Sequence, residues 1–442
     1  MLGFFEDVLW LLVLIGVMIN LHELGHFWAA RLFDVKVEAF SFGFGTRLFG
    51  FRRGETDYRF SLLPIGGYVK MAGEQGSEES VNDPRSFAAK PRWQRLIILF
   101  AGPFMNVVLA VSVLTGLYMV KFQKVADSDM EAVIGHVMPD SPAVKGGLQD
   151  GDRIVGLNGQ KNPTWEDVGI KELTGAYRPM YLTIERNGKT FQTTVTPVLN
   201  DRIGAGFAGW DERGQIQLGS VEPGYPADKA GLKKGDLLVA VNGVPIHSVY
   251  KFQEITKGSG GKPIDIQFKR SGQLHNVTVE PVFAKLDGPA RWMIGVMPQQ
   301  KLNLITTRLS LPAAFSESMR QNGKSAMLIV QFLKGVVERR MSPKNFTGPI
   351  GIAQLSGDAA REGPSAFFML MSMVSLNLAI FNLLPIPILD GGQILMLLVE
   401  MVMQRDLSLN VKEAVFKVGF VCIMVIVAFV LYNDISKILP AG

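Results

Sequence analysis

Five residues close to the N-terminus have the types and spacing for chemistry. His22, Glu23, Leu24, Gly25 and His26 fit the pattern His-Glu-x-x-His. On a helix, positions i and i+4 share a face, so His22 and His26 can hold one metal ion between them. Glu23 stands beside them and can take a proton from a water that such a metal polarises. The setting is apolar: a run over residues 8–21 leads into the motif and Phe27–Ala30 follows it. The motif therefore lies in a candidate membrane-spanning helix, where ionisable side chains are costly and mark function. Only five histidines occur in the chain. The other three, His136, His247 and His275, lack metal spacing and read as ordinary surface residues.

Two histidines do not complete a catalytic zinc site, which takes three protein ligands and a water. Few acidic residues lie near bilayer depth, and among them Asp390 stands out, in the stretch Asn377–Gly392. Pro385 and Pro387 break the helix before it. Non-helical backbone at that depth is tolerated where it is buried in protein or lines a wet cavity. Asn382 can line the same site, bonding substrate backbone or an oxyanion. Asn377 either does so too or packs between helices. Asn106, in Ala101–Asn106, reads as a packing residue.

The elements that position these groups follow from hydropathy and charge. The chain has 442 residues, 48% of them apolar and 19% charged, with mean hydropathy +0.20. That is too apolar for an ordinary soluble protein and too polar for a bare helix bundle. A net charge of +5, spread along the chain without an aromatic-studded basic tract, gives no support to nucleic-acid binding. The one cysteine, Cys422, excludes a disulfide framework and reads as a small buried apolar residue. Glu6 and Asp7 stand where a signal peptide would be basic, so the first apolar run is read as a retained span.

Four stretches have the roughly 20 apolar residues a span needs: about 5–30, 96–120, 366–389 and 414–432. Eleven Lys or Arg fall between the first two, from Arg31 to Arg95. The positive-inside rule puts that loop in the cytoplasm, with both termini and residues 121–365 outside. His22 lies about 25 Å along the first span at about 1.5 Å per residue. Asp390 follows the third span, which runs inward. Both reach the cytoplasmic half of the bilayer, so a His-His-Asp site is possible.

Within the cytoplasmic loop, alternating residues 35–42, glycines 43, 45 and 50, and strands over 57–63 and 66–71 predict β-hairpins at or in the membrane. They form either a simple interfacial hairpin or an exposed edge that holds an extended peptide. Residues 73–92 are expected to be a loop. Outside, Pro142–Gly159 recurs as Pro226–Gly243 at a constant offset of 84 residues. Such a register means two copies of one module: a small helix, a Gly-Asp turn, an apolar strand, Asn-Gly, a helix and a final hairpin. Residues 311–340 show helical periodicity, and Thr347–Ile352 is expected to break the helix and lead to span three.

The repeat resembles tandem bacterial PDZ domains of the circularly permuted kind, carried by Gly-Leu-x-x-Gly-Asp and by Asn-Gly. His-Glu-Leu-Gly-His in span one, Asn382–Gly392 in span three, Ala-Gly-Pro-x-x-Asn and the two modules together resemble the site-2 proteases over nearly the whole chain. The resemblance implies a zinc intramembrane protease, with one Zn2+ held by His22, His26 and Asp390 and with Glu23 as the base. It implies that the Gly66–Met71 strand, Gly67 and Tyr68 included, and Asn382 contact an unwound substrate helix. It further implies a PDZ pair that excludes untrimmed substrates. The substrates implied are single-span proteins such as an anti-sigma factor, and remnant signal peptides. The expected fold is a multi-span α-helical membrane protein with four transmembrane helices, a membrane-associated β-hairpin sheet and two extracytoplasmic PDZ domains. The expected parts are 1–120, PDZ modules 121–207 and 208–298, a helical linker 299–364, and 365–442. The expected place is the bacterial inner membrane. A zinc transporter and a non-catalytic PDZ scaffold are the alternatives; the first needs polar residues across the whole bilayer, the second a dispensable Glu23.

Overall fold

The computed structural model describes residues 2–74, 83–125, 131–201, 203–285, 290–345 and 347–438. The chain divides into two compact units. One comprises Met1–Phe122, Thr307–Gln331 and Lys344–Gly442; the other comprises Gln123–Thr306 and Phe332–Pro343. Residues 75–82 of the expected loop 73–92 lie outside the described residues.

In the first unit, α1 runs unbroken over Leu2–Leu32. A stripe spaced by four, Leu14, Met18, His22, His26 and Ala30, is buried along it. Leu14 and Met18 pack with Phe367, Leu370 and Met371, and Ala30 with Val35, Ile98 and Leu99. The two imidazoles thus sit between apolar clusters on one helix face. α2 (Arg92–Val120) crosses α1 closely at Gly25, where a Cβ would overlap Ala101 O. Between the helices, β1 (Val37–Arg53) and β2 (Thr56–Met71) pair as a curled hairpin. Phe40–Phe42 pairs with Gly67–Val69 on one side and with Tyr58–Phe60 on the other, and Phe49–Arg53 pairs beyond that. Gly67–Met71 is therefore an outer row. Phe44, Leu48, Phe49 and Phe51 are exposed on this sheet.

The second unit holds the repeat. The first copy orders its strands Trp210–Glu212, Ala132–Val137, Arg153–Leu157, Met180–Arg186, Lys189–Val195, with helices α3 (Pro142–Lys145) and α4 (Trp165–Thr174). The second copy orders Val296–Gln300, Ile216–Val221, Leu237–Val241, Ile264–Arg270, Gln273–Val279, with α5 (Pro226–Lys229) and α6 (Val249–Gly258). The orders match, and each copy has its own core. The turns match too: Asn158 and Asn242 have φ of 48° and 50°, followed by Gly159 at 88° and Gly243 at 76°. These are the two successive left-handed residues of a tight hairpin turn. Trp210–Glu212 pairs within the first sheet, so the copies meet after Glu212 rather than at residue 207.

α7 (Leu311–Val337) begins in the first unit, where Ala314 packs on Leu114 and Tyr118. Thr347–Ile352 does not simply lead to the next span. It starts a helix, α8 (Pro349–Glu362), because Asp434 accepts from the amides of Gly348, Ile350 and Gly351 at 2.9, 3.1 and 3.1 Å. A carboxylate at a helix N-terminus satisfies amides that have no partner within the helix. α9 (Pro364–Asn382) ends earlier than the expected third span, and after a break a further helix, α10 (Asp390–Met403), forms. α11 (Leu409–Ile438) is the last. α1, α2, α9 and α11 are long and apolar enough to cross a membrane, and the protein is a multi-pass membrane protein. Cys422 is exposed on α11, not buried: an apolar residue of a span faces lipid as readily as protein.

Candidate metal centre

On the buried stripe of α1, His22 Nε2 and His26 Nε2 lie 3.2 Å apart. Asp390, first residue of α10, brings Oδ2 to 3.1 Å from His22 Nε2 and Oδ1 to 3.5 Å from His26 Nε2. The break over 383–389 sets its position. A Cβ on Gly391 would overlap Leu383 O, and one on Gly392 would overlap Ile386 O. Asp-Gly-Gly thus allows the broken segment to fold down onto the start of α10.

Three observations fit a bound cation. Asp390 Oδ2 is buried and receives no hydrogen bond, although His22 is so near. His26 Nδ1 is 2.8 Å from Ile98 O; a carbonyl only accepts, so Nδ1 carries the proton and Nε2 keeps its lone pair. Pro103, in the next turn of α2, removes the helical partner of the neighbouring Leu99 carbonyl. Finally, a Cβ on Gly102 would overlap His26 Nε2 and come within 2.8 Å of His22 Nε2. Glycine there leaves a cradle in front of both nitrogens. Two imidazoles and a carboxylate are a zinc donor set.

Glu23 Oε2 accepts the Val69 amide at 3.0 Å. That amide lies on the outer edge of the Gly67–Met71 row, away from β1. Gly67 reaches the same place, where a Cβ would lie 3.6 Å from Glu23 Cγ. Tyr68 does not bring its side chain there. Its ring stacks on Phe44 and its hydroxyl accepts from Arg59 Nη1 at 3.3 Å, because alternate residues of a strand point to opposite faces. Asn377 and Asn382 are both half-buried. Five residues apart, they are roughly 140° apart around α9 and do not share a face. Asn106 was expected only to pack; instead its Nδ2 is 3.2 Å from His22 Nδ1. The available signal was its spacing of one helical turn from Gly102. His136 is buried rather than a surface residue, between Asp150 and Glu254 at 3.0 Å each. Periodicity could not show this, since Glu254 comes from the other copy.

Peptidase family M50 matches residues 10–426. The chain belongs to peptidase family M50. Regulator of sigma-E protease RseP of Salmonella typhimurium is 30% identical over 458 residues, covering 98% of this chain and all of that one. RseP of Escherichia coli is 29% identical over 460 residues, with 99% and 100% covered. A Neisseria meningitidis protein whose name contains the words zinc metalloprotease is 30% identical over 441 residues, with 96% and 97% covered. This M50 peptidase is a zinc metalloendopeptidase of the regulated intramembrane proteolysis type.

Proposed function

We propose that this M50 peptidase cuts single-span membrane proteins inside the bilayer, with His22, His26 and Asp390 holding one zinc ion and Glu23 acting as base. One observation carries the reading: Glu23, adjacent to the donor set, holds the outward amide of an edge strand at Val69. A peptide added to that edge lies extended along Glu23. Extension is what the chemistry needs, since a helix keeps its carbonyls hydrogen-bonded. Zinc, when bound, polarises the scissile carbonyl and makes water a better nucleophile. Glu23 takes the proton of the attacking water and hands it to the leaving amine, so it ends as it began. Once Glu23 turns to that water, the Val69 amide is free to hold a substrate carbonyl. Gly67 keeps the edge open to an incoming backbone. The Tyr68 backbone continues that edge, and Asn382, at the end of α9, offers its carboxamide to the unwound chain.

The names of the RseP relatives connect them with sigma-E. For this chain we infer an anti-sigma-factor-like substrate already trimmed outside the membrane, and remnant signal peptides as further substrates. The two copies are PDZ modules that act as a size filter against untrimmed substrates. The protein lies in the inner membrane with its termini and modules in the periplasm and its metal centre in the cytoplasmic half.

The test is cleavage of a single-span substrate by purified wild type and Glu23→Gln, with zinc content measured in both. The expected result is equal zinc and a rate lower by about 10³. Undiminished cleavage by the variant rejects the mechanism.

A further inference from the structure

Asn106 is wholly buried on α2, and its backbone carbonyl is engaged by Ser375 Oγ at 2.9 Å. Its Nδ2 is placed toward His22 Nδ1 at 3.2 Å, and its Oδ1 has no hydrogen-bond partner. No contact other than His22 therefore decides which end faces the imidazole. The oxygen and nitrogen of a carboxamide exchange places by a half-turn, and the network assigns them. If nitrogen faced Nδ1, that atom would have to accept, and the proton of a neutral ring would sit on Nε2. Nε2 is the atom 3.1 Å from Asp390 Oδ2 and 3.2 Å from His26 Nε2. A proton there blocks ligation. With Oδ1 facing Nδ1, the proton sits on Nδ1 and Nε2 offers its lone pair to the cradle at Gly102.

We propose that Asn106 is a positioning residue of the metal centre, which holds His22 in its ligating tautomer through Oδ1 as Ile98 O holds His26. The difference in acceptor follows from α2 itself. His26 meets α2 where the Ile98 carbonyl lies within reach, 2.8 Å from its Nδ1. His22 meets the helix further on, where the Asn106 carbonyl is already engaged by Ser375, so a side chain supplies the acceptor. An outer partner of this kind is worth about 10- to 100-fold in metal affinity.

This inference rests on His22 being a ligand, so the test includes Asp390→Asn as a control on the ligand set. Full-length wild type, Asn106→Leu and Asn106→Asp are compared for zinc affinity by chelator competition and for the visible spectrum of the cobalt-substituted protein. Asn106→Leu is expected to bind zinc about 10- to 100-fold more weakly, with an altered cobalt spectrum. Asn106→Asp keeps an acceptor and is expected within a few-fold of wild type. Thermal unfolding of the metal-free chains separates packing from positioning; should the leucine variant not fold, Asn106→Ala is read in the same way. Wild-type affinity in the leucine or alanine variant, or no rescue by aspartate, overturns the proposal. If Asp390→Asn also binds zinc unchanged, the ligand set itself fails.

Discussion

The repeat and the metal centre both bury carboxylate oxygens, and they treat them differently. In the repeat, Asp152 accepts from Arg186 Nε at 2.6 Å and from the Gln149 amide at 2.9 Å. Asp236 does the same with Arg270 and the Lys233 amide, at 2.8 Å each. The two arrangements are copies, offset like the rest of the repeat. At the metal centre, Asp390 Oδ2 is buried without a donor, facing two imidazoles that hold their Nε2 atoms toward it. A buried polar group supplied by its own fold is a fastening. A group left unsupplied beside others that point at the same place is a site, because burial without a partner is too costly to keep for nothing.

The comparison breaks most visibly if aspartates of the two kinds behave alike. Asp390→Ala is expected to strip zinc and lower cleavage by about three orders of magnitude or more, with the modules intact. Asp236→Ala is expected to leave zinc bound and to cost the second copy about 2 kcal/mol, since half-exposed Arg270 loses its partner. Zinc analysis with hydrogen exchange over Leu237–Arg270 distinguishes them; zinc loss in the Asp236 variant would sink the distinction.

Glycines sharpen the same contrast. Gly102→Ala fills the cradle and is expected to lower zinc content to near zero while helical circular dichroism stays unchanged. Gly159→Ala meets nothing within 4 Å but must adopt a left-handed φ, costing about 1–2 kcal/mol of stability in the first copy and no zinc.

The smallest effect comes from Glu172 of α4, which accepts from the Ala208 amide at 2.6 Å and from Trp210 Nε1 at 2.7 Å. Burial pushes its carboxyl up to about 7, from an ordinary 4.5. The folded state therefore holds this proton more tightly than the unfolded state. Its contribution is fully present below 4.5 and is lost as pH rises through 7. Protection of residues 205–210 against hydrogen exchange is expected to fall across that range and to become flat in Glu172→Gln; an unchanged slope would refute the assignment. The second copy has Thr256 in the corresponding place, bonded to its own helix at Phe252 O, and is expected to show no such dependence.

Much of this was legible in the chain. The spacing of His22 and His26 places them on one helix face, and four apolar runs fall on the four described helices long and apolar enough to cross a membrane. The offset of 84 residues reappears as two sheets of one strand order. Other features were hidden for physical reasons. α8 has little to announce it, because its first amides are held by Asp434, distant in the chain. α10 was masked by Pro385 and Pro387, which end one helix without saying that another begins. Asn377 and Asn382 share a span, yet helical geometry sets them on different faces.

The sequence by itself determined which atoms were available for chemistry, since residue type and local period need only neighbours along the chain. It left open which distant groups meet. Asp390 joins His22 and His26 only because Gly25, Gly102, Gly391 and Gly392 let backbone and ligand come closer than a Cβ would permit. Asn106 faces His22 only because α1 and α2 cross there. Those encounters belong to packing in three dimensions, and no pattern along one helix encodes them.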